Sequence, residues 1–121
     1  MIFSRGYRIT EANIQAECYA RLKAIGVLTY LEYKIEKCKF DMVVLYPINE
    51  NQKKFEIIAV VEFKSKIKFI NTVNQGKQYL KYKEVCDRNN IPLIYCQSWK
   101  GLRATVEKVR SIYLKREKIG K

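Results

Sequence analysis

The sequence predicts an α/β domain whose elements run helix, three strands, helix, strand, helix. Two nearly pure apolar runs, Met42-Val43-Val44-Leu45-Tyr46 and Ile57-Ile58-Ala59-Val60-Val61, have strand length and no polar alternation. Such runs suit central strands covered on both faces. Stretches at 10–26 and 72–89 carry apolar residues at helical spacing, and 101–118 reads as a basic terminal helix. The polar, Asn-rich segment between the two runs reads as a turn, so the runs pair as a hairpin.

Thr10 reads as the cap of the first helix, with Ile14, Cys18, Leu22 and Ile25 on one stripe and Gly26 as its stop. Val27 to Ile35 is the first strand. The hairpin follows, with strands at 41–46 and 56–63 joined by eight residues, Pro47 to Lys54. In the helix at 72–89, Val73, Gly76-Lys77, Leu80 and Val85 point inward, the lysines point outward, and Asn89-Asn90 ends it. Pro92 to Cys96 is a short buried strand.

The 121 residues are expected to form one domain, 1–121, with a basic helix and tail over about 101–121. A chain of this length buries roughly two-thirds of its unfolded surface. No apolar run approaches the ~20 residues that span a bilayer, and Met1 to Gly6 lack the apolar core of a signal peptide. The expectation is a soluble, cytoplasmic protein in a reducing compartment, with no membrane partner. Cys18, Cys38, Cys86 and Cys96 have no Cys-x-x-Cys spacing and read as reduced, mostly buried thiols rather than zinc ligands.

If the hairpin takes the register in which residue numbers sum to 103, Leu45 faces Ile58 and Asp41 faces Glu62. Alternation then sends Glu62 and Lys64 to one face and Phe63 to the other. Two carboxylates and one ammonium converge at one end of a buried hairpin. Carboxylates brought within a few Å repel, by up to several kcal/mol beside a low-dielectric wall. Such a pair persists when it shares a proton or binds a cation. The plain alternative for an acid and a lysine two apart is a solvated ion pair worth ~0–1 kcal/mol.

The chain contains no histidine, which excludes histidine general acid–base catalysis and Ser-His-Asp triads. It has no Gly-x-x-x-x-Gly-Lys-Ser/Thr loop, which argues against a P-loop nucleotidase. Carboxylate, metal and lysine chemistry remains. Residues 1–63 carry nine basic and eight acidic side chains, whereas 64–121 carry fifteen and four. A surplus so concentrated favours polyanions, and nucleic acid is the partner it points to, with a generic solubility or membrane-surface charge as the plain alternative. With six to eight phosphate contacts, affinity would fall by roughly three orders of magnitude between 50 and 200 mM salt.

Asp41, Glu62-Phe63-Lys64 and the element order together resemble the restriction-endonuclease-like superfamily, the PD-(D/E)XK nucleases, over most of the chain. Phe40 replaces the proline that commonly precedes the aspartate. Glu11-Ala12-Asn13-Ile14-Gln15 resembles the first helix of virus-type replication–repair nuclease domains. Gln75-Gly76-Lys77-Gln78-Tyr79 resembles the Gln-x-x-x-Tyr helix of the exonuclease and Type I restriction-subunit branches. The resemblance implies a core of αβββαβα order, with a central mixed sheet of about four strands flanked by helices. It also implies Mg²⁺-dependent DNA endonuclease activity, Mn²⁺ substituting. Asp41, Glu62 and the backbone carbonyl of Phe63 would hold the cation, and Lys64 would assist the attacking water or the developing charge. Glu11 would add a carboxylate from the first helix, with Glu17 as the alternative. Gln75 would bind a phosphate or a metal-bound water, or serve as an ordinary helix cap.

Lys66, Lys68, Lys77 and Lys81 flank the expected site and could track a phosphate backbone or belong to a diffuse basic surface. Tyr79, Tyr82 and Trp99 could each stack on a base or pack in the core. Lys115, Arg116, Lys118 and Lys121 form a basic tail. Cutting two strands with so short a chain suggests a homodimer or a subunit of a larger nucleoprotein complex. The competing expectation is a non-catalytic DNA-binding or regulatory module on the same fold.

Overall fold

The computed structural model describes residues 9–64 and 73–120, with side chains of the second helix described from residue 76 onward. Thr10 caps α1 (Glu11–Ala24): its hydroxyl accepts from the Asn13 N–H, and the Asn13 side chain answers to the Thr10 N–H. Ile14, Cys18 and Leu22 are buried along its inner stripe. Ile25, expected on that stripe, lies at the C-cap and is 46% exposed, because the helix has already ended. Gly26, at φ 81, turns the chain into β1 (Leu28–Ile35).

Strands β1, β2 (Cys38–Asn49) and β3 (Lys54–Lys64) form an antiparallel meander. The chain then passes through α2 (Val73–Arg88) and returns as β4 (Leu93–Gln97), parallel to β3. The result is an α/β fold with a four-stranded mixed sheet in the order β1-β2-β3-β4. A 3-10 turn at Trp99–Gly101 leads into α3 (Leu102–Ile119). The element order is the expected one.

The central strands are covered on both faces, as their unbroken apolar runs require. Met42, Val44, Ala59, Val61 and Phe63 pack with residues of α1 and α3 on one side. Phe40, Val43 and Val60 pack with Val85 and Cys86 of α2 on the other. The cysteines divide in the same way. Cys18 and Cys96 belong to the first cluster and Cys38 and Cys86 to the second, all four free and buried. The sheet separates the two pairs, so they do not converge on one zinc ion.

Three expectations about the strands and α2 need correction. Met42, Val43 and Val44 face Val61, Val60 and Ala59, the expected register, but Leu45 faces Ile57 rather than Ile58. Ile58 is the extra residue of a bulge, which shifts the far half of the hairpin by one. The turn is also shorter than eight residues, occupying 50–53, with Pro47 paired to Phe55 inside the ladder. Proline is accommodated there because β1 pairing stops at Leu45 and demands no N–H from Pro47. In α2, Leu80 is 65% exposed and Lys77 is exposed. The inner stripe runs through Tyr82, Val85 and Cys86; at about 100° per residue Leu80 lies roughly 120–160° round the helix from each of them and so faces outward. No described helix is long and apolar enough to cross a membrane.

Candidate metal centre

The site forms where β3 and its parallel neighbour β4 end and β2 begins. Glu62 stands in register with Tyr95, and Lys64 with Gln97. In open α/β sheets this carboxyl end is where ligands bind. On β3 the alternation holds: Phe63 is fully buried in the α1–α3 cluster, while Glu62 projects toward the Tyr82, Tyr95 and Cys86 side. On β2 it fails. Phe40 and Val43 share the α2-side cluster while Met42 lies on the opposite side, so the strand is irregular at Asp41. The β1 residue in line with Asp41, between the pairs Leu31–Met42 and Tyr33–Phe40, is Glu32. Its φ of 56 interrupts the ladder at that one step.

Asp41 and Glu62 are locked together by reciprocal hydrogen bonds. The Asp41 N–H donates to Glu62 Oε2 at 2.5 Å, and the Phe63 N–H donates to Asp41 Oδ2 at 2.9 Å. Each carboxylate thus accepts from the backbone of the other's strand. From α1, Gln15 Nε2 donates to the Asp41 carbonyl at 3.0 Å and ties that helix to the site. The Tyr82 hydroxyl donates to the Lys39 carbonyl at 3.1 Å and receives from Gln78 Nε2 at 3.4 Å, and its ring lies 4.6 Å from Phe40.

Glu62 is 4% exposed, and its carboxyl is pushed up from an ordinary 4.5 to about 8. Burial is the largest cause and the facing Asp41 the next. Asp41 is raised as well, again first by burial, against the Phe63 hydrogen bond; Glu32 raises it further and Lys64 lowers it. Lys64 follows Glu62 by two residues on β3 and favours the ionised form of both acids; the hydrogen bonds themselves join Asp41 and Glu62. Burial and Glu62 also raise the Tyr82 phenol to about 12 and push the Tyr95 phenol upward.

The other expected residues fare differently. Glu11 is exposed in the first turn of α1, and among the described residues it hydrogen-bonds neither Asp41 nor Glu62. Glu17 pairs with Arg21 at 2.8 Å. From α1 it is Gln15, one turn beyond Glu11, that reaches the site, and an amide carries no metal-ligand signal in the sequence. Lys77 is exposed, and Lys81 lines a depression with Glu36, Glu84 and Arg88. Lys66, Lys68 and the Gln75 side chain lie outside the described residues. Tyr79 packs against Tyr95 at 5.5 Å, and Trp99 is 39% exposed. Among the described residues, no cluster of three or more His, Cys, Asp or Glu side chains is placed to hold a metal, so the candidate centre has two carboxylates.

If the Asp41–Glu62 pair holds a divalent cation, Gln15→Ala should lower Mn²⁺ affinity about 10-fold or more, as removal of outer-shell support does elsewhere, while leaving the melting temperature within a few degrees. Titration calorimetry beside a thermal melt checks both. A comparison with protein-family models, with curated proteins and with solved structures returned no match to this chain.

Proposed function

We propose that this protein is a metal-dependent nuclease that hydrolyses DNA phosphodiesters, with Asp41, Glu62 and Lys64 at its centre. The observation that carries the reading is the reciprocal lock of two desolvated carboxyl groups, with a lysine beside them, at the open end of the sheet. A solvated ion pair would not bury its acid or raise it toward 8. The αβββαβα order and the four-stranded mixed sheet agree with a restriction-endonuclease-like core.

The donor set fits a small hard cation. Mg²⁺ keeps several waters and takes one or two carboxylates, which is what Asp41 and Glu62 offer, with the Phe63 carbonyl as a further oxygen. When bound, Mg²⁺ or Mn²⁺ would polarise the scissile phosphate and make an attacking water more acidic. Gln15 and the Phe63 N–H hold Asp41 in place at its backbone and its carboxylate. Lys64 supplies a compact positive charge that orients the water or stabilises charge on the phosphate. The basic surplus of residues 64–121 would draw in the polyanion. A homodimer or a larger nucleoprotein complex would supply a second cut.

The test is incubation of the protein with supercoiled plasmid and branched DNA in Mg²⁺, Mn²⁺ or EDTA, alongside Asp41→Ala. Cleavage should require metal and fall about 10³-fold or more in the variant, the equivalent of several kcal/mol of lost transition-state stabilisation. Wild-type protein that binds these DNAs and leaves them intact with either metal would shift the assignment to a binding module.

A further inference from the structure

The positive charge of the described residues is concentrated on one element. Residues 9–64 carry eight basic and eight acidic side chains, whereas 98–120 carry seven and two. On α2, Lys83 pairs with Asp87, and Arg88 with Glu36 and Glu84. On α3, Arg116 pairs with Glu56, but Arg103, Lys108, Arg110, Lys115 and Lys118 are exposed and, among the described residues, in no salt bridge. Lys108, Lys115 and Lys118 share one stripe with Ala104 and Ser111. Arg103 and Arg110 occupy the next row, interleaved with Glu107 and Glu117. The opposite side of α3 is committed to the core, through Leu102, Thr105 and Val109. Lys108 also walls a groove of about 280 Å³ between α3 and the open edge of β4. Gln97, in the same groove, is the register partner of Lys64, so the groove leads toward the Asp41–Glu62 end of the sheet.

We propose that the outer face of α3, centred on the Lys108–Lys115–Lys118 stripe, binds the phosphate backbone of duplex DNA. The helix runs 18 residues, about 27 Å, so its unpaired charges form a rigid row. A duplex is the rod-like polyanion that meets such a row at several phosphates at once, and each neutralised phosphate releases more counterion from a duplex than from a single strand. The stripe carries no aromatic ring on which unpaired bases would stack. Lysines on phosphates position a duplex without reading its bases, so the binding is independent of sequence. An anionic membrane would need apolar side chains to enter the bilayer. The apolar stripe of α3 is already packed in the core, and Leu114 and Ile119 are its only exposed large apolar residues. The proposal deepens the nuclease reading by naming duplex DNA as the polymer and α3 as its seat. It rests on that reading only for the claim that the bound duplex is cut.

Binding is measured in EDTA, so that no cleavage intervenes, by fluorescence anisotropy of a labelled duplex between about 50 and 200 mM salt. The test variant combines Lys108→Gln, Lys115→Gln and Lys118→Gln. A control combines Lys34→Gln, Lys53→Gln and Lys54→Gln, which removes the same charge from the exposed surface of the β1–β3 meander. The α3 variant should weaken duplex binding about 100-fold at low salt and flatten the slope of log affinity against log salt by about 3. The control should stay within about threefold of wild type, and lysine-to-arginine changes at the three α3 positions should restore binding. The proposal is overturned if wild type binds no duplex, if the α3 variant binds as wild type does, or if the two glutamine variants weaken alike. It is also overturned if the α3 variant loses binding to phosphatidylserine vesicles while holding the duplex, which would assign the face to a membrane. Loss of duplex binding in the α3 variant of a protein that never cuts would keep this surface and remove the nuclease. Metal-dependent duplex cutting that ignores the three lysines would do the reverse.

Discussion

Glu62→Gln should abolish metal-dependent cleavage and, in the absence of metal, make the protein more stable at alkaline pH. The two effects share one cause. In the folded chain the Glu62 carboxyl titrates at about 8, whereas unfolding returns it to an ordinary 4.5. The folded state therefore holds this proton more tightly, and Asp41 is shifted in the same direction. Stability contributed by the shift is complete below about pH 4 and is lost as pH rises through about 8. Across that window the metal-free wild type should lose stability on the order of a few kcal/mol. Glutamine keeps an oxygen to accept the Asp41 N–H and carries no charge to desolvate, so the variant should lose much less. Thermal melts in EDTA from pH 5 to pH 9 compare them directly. Parallel curves would mean that the acid pair costs the fold nothing.

Phe63→Ala should be the most damaging single truncation near the site. The ring is fully buried in the cluster between the sheet and α1 with α3, and the residue's N–H holds Asp41. Truncating a buried phenylalanine typically costs about 3–5 kcal/mol, through lost transfer energy and the cavity left behind. That is a large share of the 5–15 kcal/mol of a typical domain, and the melting temperature should drop by at least about 10 °C. Phe63→Leu preserves most of the volume and should lose about 1.5 kcal/mol or less. Equal losses in the two variants would show that packing does not anchor this end of β3.

Much of this architecture is legible in the sequence because its signals are local. Thr10, the 14-18-22 stripe and Gly26 mark α1. The two apolar runs mark strands buried on both faces, and pairing them places Asp41 beside Glu62. What stays hidden depends on tertiary detail. The bulge at Ile58 carries no glycine to announce it. Glu32 adopts a left-handed conformation that sequence associates with glycine or asparagine, so neither the kink at Asp41 nor the Tyr30–Tyr33 contact could be read from spacing. Pro47 resembles the start of a turn in the sequence, where the early end of β1 pairing is not visible. Leu80 has the hydrophobicity of a core residue, which alone does not say which side of α2 meets the sheet. Gln15 carries no sequence signal because its role is to hold a backbone carbonyl, and that needs the fold to exist.

The central claim is that Asp41 and Glu62 form a divalent-cation centre, and calorimetric titration with Mn²⁺ at pH 7.5 tests it most directly. Done in two buffers of different ionisation enthalpy, it reads affinity and proton release together. Wild-type protein should bind at one site per chain and release up to about one proton, because a carboxyl titrating near 8 must give up its proton to the metal. Glu62→Gln should lose both the binding and the release. Binding that is undiminished in Glu62→Gln, or no binding by the wild type, would contradict the account.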